Sequence, residues 1–174
     1  MLKKTTLLLS LFAILLLNSC GNSNDAEPTT IVGTWQLSSV TFDINGEILT
    51  ATSAAMADAE LKDNQWIFDE NGNLTVLPDN FSVDYTFNAA DNKLVITADG
   101  AAYNYTTELT NSDLKVKSKV LDAENADDDT YENDLEAAEI LFSALDLLED
   151  QQDALERIGD VKKISLTYQF VKLK

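Results

Sequence analysis

Carboxylates are the side chains of this sequence with the numbers to do chemistry. Asp and Glu total 30 against 12 Lys and Arg, for a formal charge of −18 over 174 residues. They have no histidine to work with, which removes the usual general base, the Ser-His and Cys-His pairs and the commonest metal ligand. The single cysteine, Cys20, cannot form an internal disulfide or a cysteine-based zinc site. So many acids guarantee some close pairs, yet no pair sits in a context that would raise a pKa, so the residues name no reaction and point away from an enzyme. The charge repels phosphate backbones, and no Gly-rich phosphate loop is present, which argues against nucleic acid.

Two acidic runs have a spacing close to that of a calcium loop. In Asp127-Asp128-Asp129, Tyr131 falls where an oxygen ligand belongs and no glycine follows. In Asp69-Glu70-Asn71-Gly72-Asn73, the glycine sits where a hairpin turn needs it. Neither run fits a metal site, and no cofactor is expected. Lys115, Lys117 and Lys119 alternate along one segment, as a solvated strand face or a partner for acidic residues would.

The elements that would position these groups are mostly strands. Eight runs of β-branched and aromatic residues, many of period two, are separated by short turn signals: 31–44, 65–69, 74–77, 81–87, 93–97, 103–109, 114–120 and 163–173. In the first run Trp35 and Leu37 share one parity while Val40, Phe42 and Ile44 share the other, which predicts a bulge at Ser38-Ser39. Asn45-Gly46 marks a turn, and the Ala-rich stretch 49–64 reads as a short helix or lid loop. Short connections favour an antiparallel meander, and closure into an up-and-down barrel would remove exposed edges. A two-sheet sandwich is the alternative.

An eight-stranded barrel has room inside for side chains or one small ligand. Trp66, Phe68, Tyr85, Phe87, Tyr103, Tyr105, Tyr168 and Phe170 share inward parities with Phe81, Val83, Leu114, Val116 and Leu166. They either fill the core or line a cup whose rings contact a hydrophobic molecule while the tyrosine hydroxyls orient it.

The acidity is local. Residues 122–160 hold 15 of the 30 acids and one base, Arg157, so −14 of the charge lies there. A solvated loop is followed by one expected helix over Asp134–Ile158, capped by Asp134 and stopped by Gly159. Ala138, Leu141, Leu145, Leu148 and Leu155 make its apolar stripe, widened by Ile140, Ala144, Leu147 and Ile158. Such a helix either packs on the barrel or binds a partner.

The N-terminus reads as an address. Lys3 and Lys4 precede an apolar run from Leu7 to Leu17, too short for a confident membrane span and typical of a secretory signal. Leu17-Asn18-Ser19-Cys20 resembles the lipobox of bacterial lipoproteins, which implies lipidation of Cys20 and removal of residues 1–19. That removal takes the charge to −20. Residues 20–30 would then be a tether to the membrane, and 31–174 the folded domain. No aspartate follows Cys20 directly, which by analogy favours the outer membrane, while Asp25 and Glu27 hint at the surface face.

Gly33-Thr34-Trp35 resembles the Gly-x-Trp motif that opens lipocalins, whose tryptophan packs across the closed end of the barrel. The arginine that usually stacks on that tryptophan has no counterpart in the last strand, where Lys172 and Lys174 are the only bases beyond Lys163. Together with Trp66-x-Phe68-Asp69-x-Asn71-Gly72 and Leu166-Thr167-Tyr168-x-Phe170-x-Lys172-Leu173, the lipobox and the motif resemble the lipocalin-like lipoproteins of Bacteroidota. The resemblance implies a membrane-anchored barrel binding a small hydrophobic ligand. A filled barrel using helix 134–158 to contact an envelope partner is the second expectation.

Overall fold

A computed structural model describes residues 29–125 and 135–174. Cys20, the signal-like segment, nearly all of the tether, the Asp127–Asp129 run and Asp134 lie outside those residues. The described strands are β1 (Gly33–Ile44), β2 (Glu47–Thr50), β3 (Gln65–Phe68), β4 (Asn73–Leu77), β5 (Phe81–Asn88), β6 (Lys93–Ala98), β7 (Ala101–Leu109), β8 (Asp113–Lys117), β9 (Leu121–Asp122) and β10 (Lys163–Lys172). Helix α1 (Ser53–Asp58) and a 3-10 turn (Leu61–Asp63) separate β2 from β3; α2 (Leu135–Leu147), a second 3-10 turn (Glu149–Gln151) and α3 (Gln152–Ile158) precede β10.

Eight of the strands close a barrel. The order β1-β3-β4-β5-β6-β7-β8-β10 is antiparallel throughout, and β10 returns to pair with β1 along nearly its whole length. This is the expected eight-stranded antiparallel barrel, not the sandwich. Chain-adjacent strands pair because their turns are tight. Asp99-Gly100 has positive φ at both positions (51° and 82°), the left-handed pair that matches the strand twist of a two-residue hairpin.

The change of parity in β1 is a bulge. Leu37 faces Phe170 and Ser39 faces Gln169, leaving Ser38 as the extra residue, its hydroxyl donating to the Gln169 carbonyl at 2.8 Å. That one insertion lets Trp35 and Leu37 before it, and Val40, Phe42 and Ile44 after it, all face the core.

Two strands and a helix break were not foreseen. Asn45-Gly46 turns the chain as expected, but into β2, which pairs with the second half of β1 before α1, the short helix expected within 49–64, begins. Glu47-Ile48-Leu49-Thr50 is too short and too mixed to show a period, and only pairing with an extended β1 makes it a strand. β9 pairs likewise with the start of β10. The expected single helix is two, interrupted at Leu148–Gln151. The break is held from outside: the Thr52 hydroxyl donates to Asp150 Oδ2 at 2.6 Å, and Gln151 Nε2 donates to the Thr50 carbonyl at 2.9 Å. Gly159, at φ 71°, ends α3 as expected, its N–H bonded to the Leu155 carbonyl.

The stripe of α2 is also rotated from the expected one. Ala137, Ile140, Ala144, Leu147 and Leu148 are buried, whereas Leu145 and Phe142 are 62% and 64% exposed. Leu141 is half-buried and Leu155 and Ile158 pack partly against the core. The residues expected to widen the stripe are its centre. The insert is tied back by Lys119, whose Nζ lies 3.7 Å from Glu136 Oε2, and by Asn45, whose Oδ1 accepts from the N–H groups of Lys162 and Lys163.

Candidate functional site

Cross-strand register sets which side chains meet inside. Trp35 faces Trp66, Trp66 faces Val76, Phe68 faces Leu74, and Tyr168 and Phe170 face Val116 and Leu114. One end of the barrel is packed solid: Leu74, Leu94, Leu114 and Phe68 are at most 1% exposed. Trp35 lies there fully buried, its indole N–H donating to the Ile31 carbonyl at 2.7 Å. The sequence offered no cation for this tryptophan, but Lys172 takes the place, its Nζ 5.1 Å from the ring centroid. Gly33 makes room for it: at φ 139°, a Cβ there would stand 2.8 Å from Lys172 Cε. The Gly-x-Trp spacing thus places the glycine beside the cation that covers the tryptophan.

Tyr85 belongs to this packed end. Its hydroxyl donates to the Asp69 carbonyl at 2.7 Å, and its ring meets Phe68 edge-on at 4.8 Å. Asp69 itself is occupied by its own turn: Oδ1 accepts from the N–H groups of Asn71 and Asn73, Oδ2 from Asn73 Nδ2, all but the weak Asn71 side-chain contact at 2.8 Å. Those donors, led by Asn73, hold its carboxyl below the ordinary aspartate value. Among the described residues no group of three or more acids or thiols is arranged to hold a metal ion.

The other end is different. A cavity of about 280 Å³ opens there between the inner face of the barrel and α2. The sheet contributes Leu37, Trp66, Val76, Phe81, Tyr168 and Phe170; the β4–β5 turn contributes Asp79; Leu61 comes from the 3-10 turn and Asn64 from directly after it; and α2 contributes Glu139, Ser143 and Leu147. The helix therefore lies over the mouth rather than along the outer wall. Its i, i+4, i+8 residues Glu139, Ser143 and Leu147 point down one line toward the cup.

Trp66 is the hub of the aromatic lining, with ring centroids of Phe170, Tyr168 and Phe68 at 4.8, 5.7 and 6.1 Å. The Tyr168 hydroxyl donates to Glu139 Oε1 at 2.9 Å. Crowding by the surrounding protein raises the Glu139 carboxyl above its ordinary value, partly offset by that hydrogen bond. The same burial, together with the Glu139 charge, raises the hydroxyls of Tyr168 and Tyr105. A carboxylate with a perturbed environment thus exists in this protein, contrary to the expectation from sequence, because the helix carries it into the cup. The side-chain oxygen of Asn64 is buried without a hydrogen-bond partner.

Of the aromatic residues singled out in the sequence, Trp66, Phe81, Tyr168 and Phe170 border the cavity. Phe68 and Tyr85 lie below it in the packed end, while Tyr105 is buried and Tyr103 and Phe87 pack partly against the core. Glu139, Asn64 and Asp79 were missed. Glu139 had one signal, a lone acid beside the buried positions of the helix; Asn64 and Asp79 sit in turns whose direction only the closed barrel sets.

Comparison with known proteins agrees with this geometry. A family model described as a lipocalin-like domain matches residues 31–116, which run from before β1 into β8, the first seven barrel strands. The match supports a lipocalin-like family for this chain, similar in fold to small-ligand-binding barrels. No curated protein and no solved structure matches the chain.

Proposed function

We propose that this protein is a membrane-anchored, lipocalin-like lipoprotein of the kind found in Bacteroidota, which binds a small hydrophobic ligand at the mouth of its barrel and catalyses no reaction. The observation that carries the reading is the cavity of about 280 Å³ lined by Trp66, Tyr168 and Phe170 and roofed by α2. Pockets of this kind, mostly apolar with a few placed polar groups, suit a small molecule with an apolar body. At about 280 Å³ the cup is at the small end of ligand pockets, which suits a small ligand. The anchor reading is supported by Leu17-Asn18-Ser19-Cys20 and the apolar run before it, and the lack of an aspartate directly after Cys20 favours the outer membrane of the cell envelope. Among the described residues no helix is long and apolar enough to cross a membrane.

Native mass spectrometry of protein purified from its own envelope tests the binding reading. A retained small-molecule mass, or quenching of tryptophan fluorescence by small apolar probes, is the expected result. A mass equal to the lipidated polypeptide alone, with no probe taken up, would sink it.

A second reading is favoured by the outward side of α2, where Phe142 and Leu145 stand exposed one turn apart. In that reading the helix contacts another envelope protein. Replacing both with serine should then abolish partner capture from the envelope, and unchanged capture would rule the reading out.

A further inference from the structure

Resting on the ligand-binding reading above, the polar groups of the cup narrow the ligand further. Glu139 and Asp79 both border the cavity, and no Lys or Arg does among the described residues. The base nearest the start of α2, Lys119, is engaged by Glu136. The Asn64 oxygen is buried and has no donor facing it. Among the described residues Glu139 receives one hydrogen bond, from Tyr168 to Oε1, and a carboxylate has about four acceptor sites. The cup therefore offers acceptors and negative charge; its remaining walls are Leu and Val side chains and the rings of Trp66, Phe81, Tyr168 and Phe170, and aromatic faces attract cations.

We propose that the cup takes a small protonated amine with an apolar body: the ammonium donates to Glu139 and Asn64, and the body lies against Trp66, Phe81 and Phe170. Asp79 adds negative charge at the rim. A carboxylate such as a fatty acid would meet Glu139 and Asp79 with like charge, and among the described residues no Lys or Arg borders the cavity to offset it. An amine supplies donors for the buried Asn64 oxygen and for the remaining acceptor sites of Glu139, with a charge opposite to that of its carboxylate.

Isothermal titration of the purified protein at near-neutral pH distinguishes the classes with three probes of similar size: 2-phenylethylamine, the neutral 2-phenylethanol and 3-phenylpropionate. The amine is expected to bind at least about tenfold more tightly than the alcohol, a difference of ~1.4 kcal/mol, and the carboxylate most weakly. Glu139→Gln keeps an acceptor for Tyr168 and should erase the preference for the amine while leaving the alcohol unchanged. Asp79→Asn, in an exposed turn, should weaken the amine by about twofold without disturbing the fold. Equal or tighter binding of the alcohol or the carboxylate would overturn the amine and leave the cup standing. Binding of none of the three, with tryptophan fluorescence unmoved, would overturn both readings.

Discussion

Glu139 links the electrostatics of the cup to stability. Its neighbours are Tyr168 on β10, Tyr105 on β7, Asp79 in the β4–β5 turn and Glu136 on its own helix. Because its folded carboxyl is raised, folding favours the protonated form. The stability that this contributes is fully present below the unfolded value and is lost as pH rises through the folded value. Urea unfolding at about pH 4 and about pH 7 checks this: Glu139→Gln should gain stability relative to the parent at the higher pH, and an equal difference at both would contradict it. At the opposite end, Gly33→Ala meets two penalties, the φ of 139° and the Lys172 side chain 2.8 Å from the new Cβ. A loss of about 1–3 kcal/mol is expected, with Lys172→Ala costing about 0.5–2 kcal/mol through exposure of Trp35. Thermal melts of both variants measure it. The Gly33–Trp35 spacing was legible in the sequence; the role of Lys172 was not, because it lies 137 positions from Trp35 and only closure of β10 onto β1 brings them together.

Among the elements, α2 carries the sharpest prediction. Leu148 is fully buried where the helix ends, so Leu148→Ala should cost about 2–5 kcal/mol in urea unfolding. Phe142→Ser and Leu145→Ser, on the exposed side, should stay within about 0.5 kcal/mol. The reverse ranking would mean the helix is turned the other way. The sequence supported a helix of this period but not its rotation, since leucines occur all round it and the choice between neighbouring stripes depends on the surface that receives them. The hairpins were easier. Asp99-Gly100 announces its turn because few residues accept positive φ at both positions, and Gly100→Ala should cost about 1 kcal/mol in a thermal melt. β2 was illegible for the opposite reason: four residues next to an alanine run have no period, and a long β1 with a free edge makes them a strand.

For the molecule as a whole, the proposed lipidation of Cys20 would determine where the barrel is held. Cys20→Ala in the native envelope should move the protein out of the membrane fraction, while the purified domain keeps its fold and its cup; retention in the membrane would remove the lipid anchor from the proposal. Periodicity, turn residues and the parity change at Ser38-Ser39 determined the antiparallel meander from the sequence itself, since each depends on neighbours a few positions away. The confinement of −14 charges to one insert was equally local. The choice of barrel over sandwich waited on β10 closing onto β1. The tertiary structure alone decided that the insert roofs the mouth, that its helix breaks over Thr50 and Thr52, and that Glu139, Asn64 and Asp79 meet Trp66 and Tyr168 around one cavity. Those residues are spread from 64 to 168 along the chain, and no spacing rule connects them. A sheet rolled shut places them within reach of one another, so the chemistry of the cup follows from closure.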